Sequence, residues 1–205
     1  MTVHVLGTQP KKVAVVGCGP TMHDYTSLVA SSEGEVFSVD EVWGINGAGA
    51  ALHVDLNFII DDVLLSQANS ALFERVKGPV ITSVARSDGH HHYPLAEVLK
   101  IPGAREYLNH TGAYIIAYAI ITGVREICVF GCDYVSQAMP YSHTSNDATT
   151  PARYMACMAY WLGIAAARGI DVIPSPNSPL LDSDTYKLSK FYGYLVPPIV
   201  KREGE

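Results

Sequence analysis

The sequence predicts an α/β domain of Rossmann-like type, with a mainly parallel sheet and helices on both faces. Two observations lead to this fold class. Short apolar runs of the kind that form buried strands alternate with longer segments of helical periodicity. Polar and turn-forming residues gather where each of these apolar runs ends. Strands that alternate with helices pair in parallel and are covered on both faces. A length of 205 residues fits a single domain over 1–205.

The predicted strands are the short apolar runs, and the predicted helices are the longer periodic segments between them. We predict strands over 13–16, 41–46, 56–61, 79–84, 126–130 and 171–173. We predict helices up to about residue 31, over 62–77, over 111–123, from 150 to 169 and once more after 180. Thr150 and Pro151 have the residue types of an N-cap and a first helical position. Residues 85–108 carry turn signals and weak periodicity, so no element is predicted there.

Composition and charge exclude several classes of function. The net charge is −6 and no stretch clusters lysine or arginine, which disfavours binding to a nucleic-acid backbone. The longest apolar run, over 113–121, is too short to span a membrane. Four cysteines without a Cys-x-x-Cys pair, and no visible signal peptide, indicate reduced thiols and a cytoplasmic protein. Residues 1–11 and 196–205 are expected to be peripheral, and a homo-oligomer is left open.

A nucleotide-sized site is predicted where the strands end, because ligands of open parallel sheets bind beyond the carboxyl ends of the strands. The residues at these ends are Gly17, Cys18, Gly19, Pro20, Thr21, Asn46, Asp61, Asp62, Asp133, Tyr134, Asn177 and Ser178. The glycine-rich turn after the first strand matches neither the dinucleotide fingerprint nor a Walker loop. Its backbone N–H groups either face an anion or a ribose, or merely form a tight turn.

Two further groups of polar residues are candidates for nucleotide contacts. Asn46 offers both a donor and an acceptor to a base or sugar, although Asn followed by Gly is also typical of a left-handed turn. Thr111 is a good N-cap for the buried helix, and the small Gly112 after it allows close backbone approach. A phosphate docked on this helix N-terminus, next to His110, and a plain N-cap are equally compatible with the pattern.

The segment 131–151 is the most informative part of the sequence. About twenty residues without predicted structure inside a compact domain are unusual, and such loops tend to be functional lids. This loop carries Tyr134, Tyr141 and His143. Histidine is the default general base near neutral pH, although a single histidine in a polar loop is more often simply solvated. For His90, His91 and His92 a mobile, solvated loop is favoured over a metal site, because adjacent residues cannot all face one ion.

Four blocks of the sequence are similar, in order and spacing over about residues 12–181, to motifs of a known superfamily. The blocks are VAVVGCGPTMHDY, EVWGIN, HTGAYIIAYAIITGVREICVFGCDY and PSPNSPLL. The superfamily contains the small bacterial sialyltransferases that use CMP-sialic acid, the motility-associated flagellin glycosyltransferases and the archaeal hydroxymethyldihydropterin diphosphokinases. Small bacteriophage proteins also resemble it, and the compact length suits that group. The resemblance implies that Asn46 contacts a nucleotide.

The resemblance also implies roles in catalysis. Tyr141 corresponds by its distance from Asp133 to a tyrosine that holds the phosphate of the leaving CMP, and His143 to the general base. The sialyltransferases have asparagine where this chain has Cys18, and another tyrosine where it has Val135. These two departures put CMP-sialic acid itself in question, but not a nucleotide-linked donor.

Three functions follow from these predictions. The first is a glycosyltransferase-like enzyme that uses a nucleotide-activated, CMP-type sugar. The second is a Mg²⁺-dependent ATP diphosphotransferase in which Asp61 and Asp133 hold the metal through carboxylate oxygens. The third is a protein that binds a nucleotide or a partner without catalysis, since a fold does not by itself decide a function.

Overall fold

Seven strands, all parallel, form one sheet in the part of the chain that the structure describes. The computed structural model of the chain describes residues 4–31, 37–61, 67–85, 88–104, 107–134 and 150–181. Within them the strands are β1 (Lys12–Val16), β2 (Glu41–Ile45), β3 (Leu56–Phe58), β4 (Val80–Thr82), β5 (His90–His92), β6 (Glu126–Phe130) and β7 (Asp171–Pro174). The strand order is β5-β4-β3-β2-β1-β6-β7. The predicted fold class, an α/β domain with a parallel sheet, is confirmed.

Helices connect the strands and lie on both faces of the sheet. They are α1 (Met22–Ser31), α2 (Ala48–Ala51), α3 (Gln67–Arg75), α4 (Leu95–Val98), α5 (Thr111–Thr122) and α6 (Thr150–Ala166). One core cluster joins residues of α5 and α6 to the sheet, and it includes the fully buried Trp43, Tyr118 and Trp161. A second cluster on α1 contains Tyr25 and Phe130. Two separate apolar clusters are the expected result when a sheet is covered on both faces.

Helix α5 is buried almost all round, as its nearly continuous apolar sequence predicts. It ends at Gly123, whose φ of 80° is a left-handed conformation that glycine adopts without a steric penalty. α5 packs against α6 and against β2, and its first residue, Thr111, is hydrogen-bonded to Asn46 at the end of β2. No helix within the described residues is long and apolar enough to cross a membrane.

The histidine triplet is a strand and not the solvated loop that we predicted. His90, His91 and His92 pair in parallel with Val80, Ile81 and Thr82 and form the edge of the sheet. The ring of His90 packs on Phe73, with 5.0 Å between the ring centroids. Histidine has no strong preference for strands, and an edge strand needs only one neighbour, so the local sequence carries little signal. The short helices α2 and α4 were also not predicted.

Residues 4–6 pack against the core, in contrast to the expectation that residues 1–11 are peripheral, whereas residues 7–9 are exposed. His4 is 2% exposed, and its Nε2 lies 3.1 Å from Oε2 of the buried Glu41. The same Glu41 oxygen accepts a hydrogen bond of 2.7 Å from the Trp43 indole. The backbone N–H of Val5 donates to the hydroxyl of Tyr118. This segment therefore closes the core at the amino ends of the central strands.

Candidate functional site

The loops that follow β1 and β6 cross each other in direct backbone contact. The N–H of Gly17 donates to the carbonyl of Phe130, and the N–H of Gly19 donates to the carbonyl of Gly131, both at 2.8 Å. A Cβ at Gly17, Gly19 or Gly131 would collide with the opposite backbone. Gly131 also has a positive φ of 64°, which favours glycine. These glycines are therefore required by the crossing of the two loops.

A buried carboxylate joins the same two loops. Asp133, 2% exposed, accepts a hydrogen bond of 2.7 Å from the backbone N–H of Thr21 and another of 2.7 Å from its hydroxyl. The Thr21 hydroxyl in turn accepts a bond of 2.8 Å from the N–H of Gly131. The Thr21 hydroxyl thus both donates and accepts a hydrogen bond within the protein.

The glycine-rich turn forms the tight strand-to-helix connection that the sequence left open, and most of its N–H groups bond within the protein. The N–H groups of Gly17, Gly19 and Thr21 donate to protein acceptors and Pro20 has none, which leaves the N–H of Cys18 for a ligand. Cys18 is exposed, and its Sγ lies 3.9 Å from the carbonyl oxygen of Ile45 at the end of β2. A ligand contact by this turn stays a prediction, with the Cys18 side chain as its exposed element.

Asn46 occupies the left-handed conformation that its position before glycine suggested, with a φ of 51°. Its N–H donates to the carbonyl of Phe58 at 2.9 Å, which continues the β2–β3 pairing by one residue. Its side-chain Oδ1 accepts a bond of 3.3 Å from the hydroxyl of Thr111. The amide group of Asn46 and the first turn of α5 therefore lie together at the carboxyl edge of the sheet.

We predicted Thr111 as the N-cap of α5, and this prediction is wrong. Thr111 is the first residue of the helix. The cap position belongs to His110, which has extended backbone and makes no side-chain capping bond. The Thr111 hydroxyl turns to Asn46 instead, because that amide oxygen lies within reach. The N–H of Ala113 already donates to the carbonyl of His110 at 3.0 Å, which leaves the N–H groups of Thr111 and Gly112 as the donors that this end of α5 offers to an anion.

The space above Gly112 is filled by aromatic side chains. A Cβ at Gly112 would collide with the hydroxyl of Tyr134 and would lie 2.9 Å from the His110 ring. The Tyr134 hydroxyl and His110 Nδ1 are hydrogen-bonded at 3.2 Å. Tyr154 of α6 packs on the His110 ring, with 5.1 Å between centroids. Glycine is thus needed at this position because the Tyr134 side chain approaches its backbone, whereas the approach of a phosphate stays a prediction.

Burial in this aromatic cluster lowers the pKa of His110 to about 4. His110 is therefore a neutral imidazole at physiological pH and hydrogen-bonds as one. Burial also raises the pKa of Tyr134 well above its usual value, so that its phenol keeps its proton. Tyr134 has a positive φ of 49°, an uncommon conformation for a residue with a large side chain. A neutral, packed His–Tyr pair lies next to the first turn of α5.

The Asn177 and Ser178 turn after β7 contacts α1. Asn177 donates to Asp24 Oδ1 at 2.9 Å, and the Ser175 hydroxyl donates to the other oxygen of the same carboxylate. The hydrogen bond from Ser175 lowers the pKa of Asp24, with a smaller contribution from Asn177. Ser178 is buried, and its hydroxyl accepts a bond from the N–H of Leu180. This turn is hydrogen-bonded to the beginning of α1, and no hydrogen bond joins it to Asn46 or Thr111 among the described residues.

The carboxylates proposed for Mg²⁺ fit that role poorly. Both oxygens of Asp133 accept hydrogen bonds from Thr21, whereas Asp61 is an exposed residue beyond β3. Within the described part of the chain, no three histidine, cysteine, aspartate or glutamate residues are grouped so that they could hold a metal ion. Asp62, the second acid of that strand end, lies outside the described residues. Asp133 is thus a structural carboxylate that holds Thr21.

The two residues predicted to be catalytic, Tyr141 and His143, lie outside the described residues. The sequence did not single out three residues that shape this edge. These are Asp24, Asn57 and Tyr154. Asn57 carried a readable signal, because a carboxamide inside the apolar run LNFII is unusual for a buried strand.

A cavity of about 460 Å³ lies at the opposite end of the sheet, before β6 and β7, and is lined among others by Arg125 and Arg168. Arg168 there donates to the carbonyls of Ile164 and Pro102, at 3.3 and 2.9 Å. These bonds fasten the end of α6 to the neighbouring loop. In a parallel α/β sheet, ligands bind at the other edge.

Solved sialyltransferases have a similar fold. The sialyltransferase CstII from Campylobacter jejuni with CMP-3FNeuAc matches with a TM-score of 0.53 and 18% identity, over 83% of each chain. Its complex with cytidine-5'-monophosphate matches with a TM-score of 0.52 and 15% identity, over 83% of this chain and 82% of that chain. A complex of CST-II with a trisaccharide acceptor and CMP gives 0.50 and 16%, over 83% of each chain. At these identities the likeness shows the fold alone.

No family model matches the sequence. No curated protein matches it either.

Proposed function

We propose that this chain is a glycosyltransferase-like enzyme that uses a CMP-activated sugar as donor. The observation that carries the proposal is the hydrogen bond between Thr111 and Asn46, 65 residues apart in sequence. It brings a carboxamide, a hydroxyl and a helix N-terminus to one point at the carboxyl edge of the sheet. The fold likeness to a sialyltransferase that has been crystallised with CMP supports the same assignment.

Two kinds of protein group bind the two parts of the nucleotide. The Asn46 side chain offers a donor and an acceptor to a base or a ribose, the two functions that a pyrimidine edge requires. The N–H groups at the start of α5 offer donors to the phosphate, which the helix dipole also favours, while the Thr111 hydroxyl donates to Asn46 and orients its amide. Cys18, exposed beside the end of β2, is available to line the base or sugar.

The reaction forms one C–O bond and breaks another. The oxygen of an acceptor hydroxyl bonds to the anomeric carbon of the donor sugar, while the bond from that carbon to the phosphate oxygen breaks. The electron pair leaves with CMP, whose phosphate is stabilised by hydrogen-bond donors. His143 takes the proton of the acceptor hydroxyl, and Tyr141 donates a hydrogen bond to the leaving phosphate. These two roles rest on the resemblance and on the positions of both residues in the sequence between Asp133 and Thr150.

The diphosphotransferase alternative gains no support from the carboxylates, because Asp133 is committed to Thr21. The proposed transferase holds the phosphate by hydroxyl groups and helix N–H groups, so its activity does not require a divalent cation. Turnover of a CMP-activated sugar should be the same in EDTA as in Mg²⁺. Loss of turnover in EDTA that Mg²⁺ restores would reinstate the metal mechanism.

The experiment that tests the proposal is CMP release from a CMP-activated sugar, with UDP- and GDP-sugars as comparisons. His143→Ala should reduce turnover by about 10²–10⁴, the usual contribution of general acid–base catalysis, and leave CMP affinity nearly unchanged. His53→Ala is the matched control, because His53 is an exposed histidine before β3, at the amino edge of the sheet. Wild-type turnover in His143→Ala, or equal losses in both variants, contradicts the assignment of the base.

A further inference from the structure

Asn57 is a carboxamide at the centre of the sheet, where an apolar residue is expected. It is the middle residue of β3, it is 0% exposed, and its neighbours Leu56 and Phe58 are fully buried as well. In register it lies between Gly44 of β2 and Val80 of β4. A polar side chain is rarely buried so completely unless its hydrogen bonds serve a purpose.

The protein leaves space for this side chain by placing glycine at two positions. A Cβ at Gly44 would collide with Asn57 Oδ1, and a Cβ at Gly49 would lie 2.7 Å from the same atom. Gly49 belongs to α2, which follows β2. The Asn57 amide is therefore enclosed between β2 and α2.

Within this enclosure, Asn57 holds the backbone of Asn46. Its Nδ2 donates a hydrogen bond of 3.0 Å to the carbonyl oxygen of Asn46. Asn46 is in the left-handed conformation, with a φ of 51°, and its own side chain accepts from Thr111. A chain of hydrogen bonds thus leads from the centre of the sheet through Asn46 to the first turn of α5.

The other end of the same amide has no partner. Asn57 Oδ1 is buried and accepts no hydrogen bond from any described residue. A buried unsatisfied oxygen is unfavourable, and a valine at this position would avoid it. The amide is thus a poor choice for stability alone, and the only hydrogen bond that it makes to a described residue is the one to Asn46. This indicates that the Nδ2 donor is the functional part of the side chain.

We propose that Asn57 is a positioning residue that fixes Asn46 for recognition of the nucleotide. It touches no ligand itself and acts through the Asn46 carbonyl. The inference rests on the proposed function in so far as Asn46 binds the nucleotide. Its structural half, that Asn57 sets the conformation of Asn46, holds without any ligand and is measured separately.

The decisive variant is Asn57→Asp, which has nearly the same shape. Its ionised carboxylate has no proton to donate to Asn46, whereas its protonated form donates through O–H. Full burial raises the pKa of a carboxyl group, so protonation is reached at mildly acidic pH. CMP affinity, measured by calorimetry and divided by the wild-type value at the same pH, should be about tenfold lower at pH 7.5 and recover at pH 5.

Two further variants separate positioning from a general packing effect. Asn57→Val removes the donor without introducing a charge, so it should remain folded and lose CMP affinity at both pH values. Thr82→Val is the matched control, because Thr82 is 1% exposed and its hydroxyl also has no partner among the described residues. Its CMP affinity should equal that of the wild type. Equal losses in Thr82→Val and Asn57→Val, or full CMP affinity in a folded Asn57→Val, overturn the proposal.

The ligand-free measurement is the NMR signal of the Asn46 side-chain amide. In Asn57→Val it should shift and exchange faster with water than in the wild type, whereas in Thr82→Val it should not change. An unchanged Asn46 signal in Asn57→Val overturns the inference whether or not CMP binds. If the wild type binds no CMP but the Asn46 signal responds as expected, the proposed function fails and the positioning role stands.

Discussion

Replacing Asp133 by asparagine should destabilise the domain, because the two crossing loops depend on its carboxylate. Thr21 presents two donors to Asp133, its N–H and its hydroxyl, each at 2.7 Å. The carboxylate accepts both, but a carboxamide has one acceptor atom, so in Asp133→Asn one donor faces an NH₂ group. Thr21 is 5% exposed and Asp133 is 2% exposed, so water cannot easily replace the lost acceptor. A buried donor left unpaired costs about 1–3 kcal/mol.

For a domain of this size, that loss lowers the melting temperature by about 2–4 °C per kcal/mol. Urea unfolding at pH 7, followed by circular dichroism, measures the free energy directly. Asp61→Asn is the control, since Asp61 is exposed and its substitution should change stability by less than about 0.5 kcal/mol. EDTA should change the free energy of unfolding of neither variant. Equal stability of Asp133→Asn and the wild type would refute the role that we give to this carboxylate.

Three other predictions follow from the site. Because burial lowers the pKa of His110 from 6.5 to about 4, the unfolded chain binds more protons in that interval and stability falls as the pH drops from 6.5 to 4. His110→Gln cannot titrate at this position. Its free energy of unfolding, measured with urea, should therefore fall by about 2–3 kcal/mol less than that of the wild type between pH 7 and pH 4. Parallel plots of the free energy of unfolding against pH for the two proteins would contradict this. Thr111→Val should weaken CMP binding by about 0.5–1.5 kcal/mol in calorimetry through loss of the bond to Asn46, with recovery in Thr111→Ser. Gly112→Ala should displace Tyr134 and lower the free energy of unfolding by about 1–3 kcal/mol, whereas an unchanged value would show that the ring moves freely.

Most of the fold could be predicted from local patterns. Strands such as β1 and β6 are continuous apolar runs, and α5 is a long apolar segment with a glycine stop, so each is visible within a window of a few residues. The edge strand β5 could not be predicted in this way. Its three histidines have neither a strong strand preference nor a hydrophobic alternation, and only its pairing with β4 makes it a strand.

The candidate site was less accessible to local reasoning, because its geometry depends on contacts between distant residues. The sequence located the turns but not their partners. Nothing near Gly17 indicates that Gly131 crosses it, and the partner of Asp133 is 112 positions away. Contacts with distant residues therefore determine that the N–H groups of Gly17, Gly19 and Thr21 bond within the protein. The same holds for Gly112, where the residue that approaches comes from the loop after β6.

The most direct test of the account is the crystal structure of the protein grown with a saturating concentration of CMP. The account predicts the nucleotide at the carboxyl edge of the sheet, with its base or ribose on the Asn46 amide and its phosphate at Thr111. CMP bound at the opposite end, in the cavity between Arg125 and Arg168, would contradict it. So would an empty carboxyl edge in crystals of the wild-type protein under these conditions.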